Sequence, residues 1–393
     1  MLWVLHATSA LALLLAPAVD ASITSFAQGA IDSGLALAGL NSQALLQSLG
    51  NFQSGCTPAT LKIRQEWRTL PASQRKNYIA AVKCVQSSPS LFPEGQVPGS
   101  FSLFDDFVAV HLNQTPFIHL SATFLTWHRY FIWTYEKKLQ ACGFNGNLPY
   151  WEWGHDVESP HESPVFDGSD TSLGSDGAYV PHAGLRLPQP GGTTEVDLAP
   201  GTGGGCIYAG PFANLSIHLG PVILPVYGST NTTGVANPLA DNPRCVKRDL
   251  NSDSAKRFTT FRNTTELILD YSEVEWFQAI MQGDPRYVLN NLGVHGGGHF
   301  IIGGDPGSDP FISNGDPAFY LHHAQVDRIY WIWQMLDWTH RQDVWGTGTL
   351  LNTPPSPNVT VHDYIDIRPL NDPIQIKTLM NTVGGTPFCY VYI

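Results

Sequence analysis

Residues Asp316–Leu336 read DPAFYLHHAQVDRIYWIWQML. The stretch begins as helices begin, with Asp where a side chain can cap the first free N–H groups and Pro where no N–H is needed. His322 and His323 fall in its first turns, bracketed by aromatic residues. Just before it, 301–315 (IIGGDPGSDPFISNG) has Gly or Pro every few residues and reads as a turn-rich loop. Further back, apolar residues at three- and four-residue steps predict helices over 58–69 and 72–86, parted by Pro71, then over 102–112, 121–142, 272–283 and 286–300. Ser121 is placed to cap the long one and Gly143 to end it. Residues 24–50 carry a weaker helical period, an N-terminal helix or arm. From 154 to 260, Gly, Pro, Ser, Asp and Asn dominate, a loop-rich region with short strands at best. No repeat or linker divides the chain. The expectation is one mainly α domain, a central helical bundle with long loops and a few short strands.

The first residues, MLWVLHATSALALLLAPAVDA, place an apolar run from Ala10 to Ala16 ahead of small residues suited to cleavage after Ala18 or Ala21. Residues 1–21 therefore read as a secretory signal, too short to span a membrane, and 22–393 as the mature domain. Five glycosylation sequons, at Asn113, Asn214, Asn231, Asn263 and Asn358, fit that destination. The six cysteines (Cys56, Cys84, Cys142, Cys206, Cys245, Cys389) are widely spaced and free of C-x-x-C pairs, which suits three disulfides better than zinc or redox chemistry. Many pairings are open; proximity favours Cys84 with Cys142 and Cys206 with Cys245, leaving Cys56 to join Cys389. The balance of 21 basic against 33 acidic residues, a net charge of -12, disfavours nucleic acid or an anionic membrane as partner and suits a small neutral substrate.

Fourteen histidines are present, and they are not spread evenly. His111, His119 and His128 fall on two predicted helices and the loop joining them. His295 and His299 are four apart and share one helix face. A lone histidine on an apolar face is more often packed core than ligand, and a single H-x-x-x-H arises by chance. With His322 and His323 added, the chain offers two sets of three on helices that can converge, which packing alone explains poorly. Imidazole suits zinc, copper, iron or nickel, whereas calcium or manganese would ask for carboxylates. A zinc peptidase would need Glu directly after the first His of H-x-x-x-H, and Gly296 stands there. Two all-histidine triads point to a pair of copper ions.

FDDFVAVHL, the nine-residue step from His119 to His128 in TWHRYF, VHGGGHF and GDPAFYLHHAQVDR resemble the two copper signatures of tyrosinases, catechol oxidases and haemocyanins. The likeness runs from about Cys56 to Tyr392, with LKIRQEWRTL and the closing Tyr390-Val391-Tyr392 similar to the first helix and the end of the catalytic core in fungal members. It is strongest to the short secreted fungal polyphenol oxidases. The resemblance implies an antiparallel four-helix bundle holding one copper on His111, His119 and His128 and a second on His295, His299 and His323, with O2 as co-substrate. It places His322 beside the second site, and Asp327, one turn after His323, where it could orient a ligand imidazole or pair with an arginine. It also implies an aromatic-lined pocket. Phe124, Phe300, Phe311 and Phe319 are candidate walls, Gly296 adjoins them, and Phe311 is the candidate substrate gate.

Two departures modify what the resemblance implies. Many fungal and plant members carry a Cys two residues before the second ligand of the first site, joined to that imidazole by a thioether; Phe117 stands there, so His119 is expected to be held less rigidly. Long fungal tyrosinases add a C-terminal shielding domain. None is expected after Tyr392 and Ile393, so activity should follow copper loading without proteolysis. The expected function is oxidation of o-diphenols to o-quinones, with o-aminophenols and some monophenols as further substrates. A tailoring oxidase acting on one phenolic or peptide-Tyr intermediate is the alternative. A haemocyanin-like O2 carrier is disfavoured, because carriers add a domain that blocks the copper site.

Overall fold

A computed structural model describes residues 27–393 except 54, 192 and 193, and the expected signal segment lies outside the described residues. In chain order the main helices among the described residues are α1 (Leu35–Leu49), α2 (Ala72–Ser87), α3 (Leu103–Ile118), α4 (Phe124–Ala141), α5 (Ser252–Phe258), α6 (Phe261–Asp270), α7 (Val274–Gln282), α8 (Gly293–Ile302) and α9 (Ala318–Leu336). Every residue of α9 from Ala318 to Met335 is buried, as a helix apolar on all sides must be. It packs against α1, α4, α6 and α8. Asp316 caps it as expected, its Oδ1 accepting from the Ala318 N–H at 2.9 Å. The same carboxylate pairs with the buried Arg248 guanidinium, so the cap carries no unpaired charge into the core.

The corner between α3 and α4 positions half of the site. Helix α3 starts in a capping box between Ser102 and Asp105 and runs past its expected end at 112, through Pro116 to Ile118. Proline removes one helical N–H, and here that loss falls in the last turn. Ser121 does not cap α4. Thr123 is the N-cap residue, and the Ser121 hydroxyl donates instead to the Phe117 carbonyl at 2.7 Å, closing the corner. Gly143 ends α4 with φ 87°, a conformation that glycine adopts without strain.

Residues 58–69 are not a helix. Lys62–Arg64 is a strand paired in parallel with Tyr390–Tyr392, and Trp67–Thr69 is one 3-10 turn capped by Glu66. The apolar spacing there marks separate contacts: Trp67 is fully buried, whereas Ile63 stays 41% exposed. Long-range strand pairing overrides such local periodicity. Between α4 and α5 the chain forms short antiparallel pairs, such as Leu185–Pro188 with Glu195–Leu198 and Leu224–Pro225 with Thr232–Thr233. Helix α5 lies within the stretch read as loop-rich, α6 follows it and opens with a capping box of Thr260 and Asn263, and α8 begins at Gly293 rather than 286. The disulfides are Cys84–Cys142, Cys206–Cys245 and Cys56–Cys389, as expected, and the last ties the two ends together beside their shared strand pair. No helix among the described residues is long and apolar enough to cross a membrane.

Candidate metal centre

His111 projects from α3, His119 is its C-cap residue and His128 lies in the second turn of α4; their donor nitrogens fall within 4.8 Å of one another. Each Nδ1 faces a backbone carbonyl, that of Phe311 at 3.0 Å for His111, Thr115 at 3.2 Å for His119 and Phe124 at 2.8 Å for His128. A carbonyl only accepts, so Nδ1 carries the proton and Nε2 keeps its lone pair. Nε2 of His111 and of His128 are buried with no protein partner. An unmet buried polar atom costs about 1–3 kcal/mol, which makes pure packing a poor account of this cluster. A ring held by its outer N–H with the inner nitrogen free is how metal-binding imidazoles are arranged.

Helices α8 and α9 supply the second set. Nε2 of His299 lies 3.2 Å from Nε2 of His295 and 3.2 Å from Nε2 of His323. The two sets adjoin: His128 stacks on His323 with centroids 4.4 Å apart, and His119 faces His295 at 5.9 Å. His322 is buried beside them, tilted against Trp153 at 5.2 Å, with both ring nitrogens unpartnered. It lies within the same 4.8 Å grouping but outside the tighter Nε2 convergence. Helix α8 admits this ring because position 298 is glycine, where any side chain would run into the His322 imidazole. Neither set contains a carboxylate or thiolate, a donor composition suited to copper.

Asp327 does not orient an imidazole. Its carboxylate accepts from Arg129 Nε at 2.5 Å, Arg64 Nη1 at 3.3 Å and the hydroxyls of Tyr390 and Tyr392 at 2.7 and 2.6 Å. Two buried guanidinium ions bind a carboxylate more strongly than a neutral imidazole N–H can, so the arginine alternative is the one realised.

A cavity of about 550 Å³ opens on both sets, its wall including His119, His295, His299, Gly296, Phe300 and Phe311. Phe124 and Phe319 do not line it; they are buried against imidazoles, 4.7 Å from His295 and 4.1 Å from His323 respectively. Other walls come from Leu187, Pro188, Ile223, Gln282 and Leu292, which no motif marked because they sit on short hairpins and helix ends. Among the sequons, Asn113, Asn214, Asn231 and Asn358 are exposed, and Asn263 is half-buried in the α6 capping box.

Burial, with His119 beside it, lowers His111 from an ordinary 6.5 to about 3, against the opposing pull of the Phe311 carbonyl, and burial lowers His119 to about 4. Burial likewise holds His128, His295, His299, His322 and His323 well below 6.5. All seven are neutral at pH 7, the form that binds metal. The unfolded chain takes up these protons near pH 6.5, but the folded chain only near 4 for His119 and 3 for His111. Stability of the metal-free protein is therefore full above pH 6.5 and is lost as pH falls toward the folded values, by up to about 1.4 kcal/mol per pH unit for each histidine. Urea unfolding of metal-free protein at pH 7.5 and 5.5 should show a much lower midpoint at the acid value. Equal midpoints would mean that the imidazoles already titrate normally.

Residues 102–336 match the common central domain of tyrosinase, the segment from the cap of α3 to the end of α9 that holds both histidine sets. The chain is 39% identical over 313 residues to the tyrosinase-like protein orsC of Emericella nidulans, covering 76% of this chain and 81% of that protein. It is 34% identical to N-acetyl-6-hydroxytryptophan oxidase ivoB of the same organism, over 86% of this chain and 93% of that one. A mutant polyphenol oxidase from Thermothelomyces thermophila, with Asn in place of a Gly, superposes with a TM-score of 0.81 at 37% identity, over 91% of this chain and 98% of that one. Helical core, paired imidazole sets and relatives agree, and the chain belongs to the tyrosinase family of copper-binding oxidoreductases.

Proposed function

We propose that this chain is a secreted dicopper oxidase that uses O2 to convert o-diphenols to o-quinones. The observation that supports it most is the meeting of two buried imidazole sets at the wall of a largely apolar cavity. In this reading α3, α4, α8 and α9 act as an antiparallel four-helix bundle. His111, His119 and His128 hold one copper, and His295, His299 and His323 the other. When bound, the metal pair supplies the electron chemistry with O2. The protein's part is to fix the tautomers through the Phe311, Thr115 and Phe124 carbonyls, keep the imidazoles dry and admit a neutral ring. Phe311 joins two of these tasks, since its carbonyl orients His111 while its side chain flanks the cavity as the gate. Two diphenols each give up two electrons and two protons, and one O2 becomes two waters. Residues 1–21 are the signal and 22–393 the mature domain, a reading supported by three disulfides and the exposed sequons. Copper-loaded protein should hold two metal ions per chain and consume O2 with 4-methylcatechol; loaded protein that takes up none would defeat the proposal.

The cavity volume of about 550 Å³ lies in the range that accommodates drug-sized molecules. With a relative named for oxidising N-acetyl-6-hydroxytryptophan, it favours a second reading, a tailoring oxidase for one larger phenolic intermediate or a peptide tyrosine. A kcat/KM for an N-acylated hydroxyindole far above that for catechol would select it.

Monophenols pose a separate demand. A phenol of pKa about 10 must lose its proton before its oxygen can bind a metal as phenolate, so a positioned base matters more for monophenols than for catechols. No carboxylate among the described residues lines the cavity, and Gly296, directly after His295, offers no side chain to hold a water there. Hydroxytyrosol oxidation should therefore exceed tyrosol hydroxylation. An added Cβ at 296 meets only Leu292 Cβ, at 3.2 Å, so Gly296→Asn fits after a small shift. It should raise the ratio of hydroxylation to oxidation severalfold in initial-rate measurements, and an unchanged ratio would remove Gly296 from the explanation.

A further inference from the structure

The corner that presents His119 is tied down from a different helix. His119 leaves α3 in an extended conformation, φ −120° and ψ 144°, and Leu120 then turns with φ 46°. That left-handed geometry is strained for a residue with a branched side chain and persists only where the surroundings enforce it. The Leu120 N–H donates to Gln282 Oε1 at 2.7 Å, and the Leu120 carbonyl accepts from the Leu351 N–H at 3.2 Å. Gln282 is the last residue of α7, and its Nε2 donates one turn back to the Gln278 carbonyl at 3.2 Å. The two bonds agree on which way the amide faces, because a backbone N–H can be met only by its oxygen. Nothing covalent reaches His119 from position 117, where Phe117 stands 49% exposed. The imidazole's own anchor is Nδ1 to the Thr115 carbonyl, at 3.2 Å.

We propose that Gln282 is a positioning residue for the first metal site: by capturing the Leu120 N–H it fixes the corner that aims His119 Nε2 toward His111 and His128. A hydrogen bond from α7 then does what a covalent crosslink would. The inference rests on His119 being a copper ligand. Gln282 also lines the cavity, so direct contact with substrate is the rival role and the test must separate the two.

Gln282→Leu keeps similar bulk and removes the acceptor, whereas Gln282→Glu keeps an oxygen facing Leu120. Copper per chain is measured after dialysis against graded concentrations of a copper chelator, with His119→Ala alongside. Gln282→Leu should give up one of its two coppers at roughly 10- to 100-fold lower chelator, the range typical when an outer partner of a metal ligand is lost. Gln282→Glu should hold that copper, and for Gln282→Leu kcat should fall with occupancy while KM for 4-methylcatechol stays put. Wild-type retention of both coppers with a raised KM overturns the proposal and makes Gln282 a substrate contact. If His119→Ala keeps both coppers, the ligand assignment itself fails, a result distinct from failure at Gln282. Should Gln282→Leu not fold, amide exchange in wild-type metal-free protein decides: a Leu120 N–H protected like the α7 amides supports the proposal, and one exchanging like an open loop overturns it.

Discussion

His299→Ala should retain at most one tightly held copper per chain and show no measurable diphenol oxidation. His299 is central to its set, its Nε2 being 3.2 Å from those of both His295 and His323. Loss of an outer partner alone typically weakens metal binding 10- to 100-fold, so loss of the donor itself should exceed about 100-fold. The neighbouring His322 provides the contrast. Its ring packs on Trp153 and over Gly298, and its nitrogens stand outside the convergence. His322→Ala should lower the unfolding midpoint through lost packing yet keep both coppers. Elemental analysis of the two variants beside His323→Ala distinguishes the roles. A His322→Ala protein with one copper and a His323→Ala protein with two would shift the ligand assignment by one residue.

The helices that carry these histidines were legible in the sequence because their signals are local. Asp316 and Pro317 announce α9, apolar residues at three- and four-residue steps announce α3, and Gly143 closes α4. Where the outcome depended on a distant partner, the local reading failed. Leu61, Ile63 and Trp67 mimic a helical period, yet their segment is organised by Tyr390–Tyr392, more than three hundred residues away in sequence. Asp327 sits one turn after His323, but spacing along α9 says nothing of Arg64 and Arg129, which reach it from a strand and from α4. Phe124 and Phe319 carried the chemistry of a pocket wall and proved to be packing around the imidazoles. Further walls at Leu187 and Ile223 lie on hairpins whose sequence carries no period, and Gln282 is a polar residue that the apolar period of its own helix does not mark.

Asp327→Ala should be the most damaging single change to stability that leaves the proposed ligands intact. The carboxylate is buried where four elements meet, α9, α4 through Arg129, the first strand through Arg64 and the last through Tyr390 and Tyr392. Burial pushes its pKa up, yet Arg129 and Arg64 hold it below the ordinary carboxylate value of 3.8, so it is an anion and must be paired. Arg64 would still have Glu136, at 2.5 Å, but Arg129 would keep only neutral acceptors, Gln334 and the carbonyls of Leu379 and Met380. Removing one partner of a buried ion pair typically costs about 3–5 kcal/mol, against a total stability of about 5–15 kcal/mol for a folded domain. Tyr392→Phe deletes the hydroxyl that donates to the same carboxylate and accepts from Arg64 Nη1 at 2.8 Å, and should cost about 2 kcal/mol. Cys56–Cys389 still ties the chain ends in both variants, so a difference between them reports the charge rather than the connection. Urea unfolding of both variants and the wild type gives the comparison. Asp327→Ala within 1 kcal/mol of Tyr392→Phe would mean that the two guanidinium ions find other counter-charges, and that the closing Tyr390-Val391-Tyr392 strand is held by its backbone pairing and by packing alone.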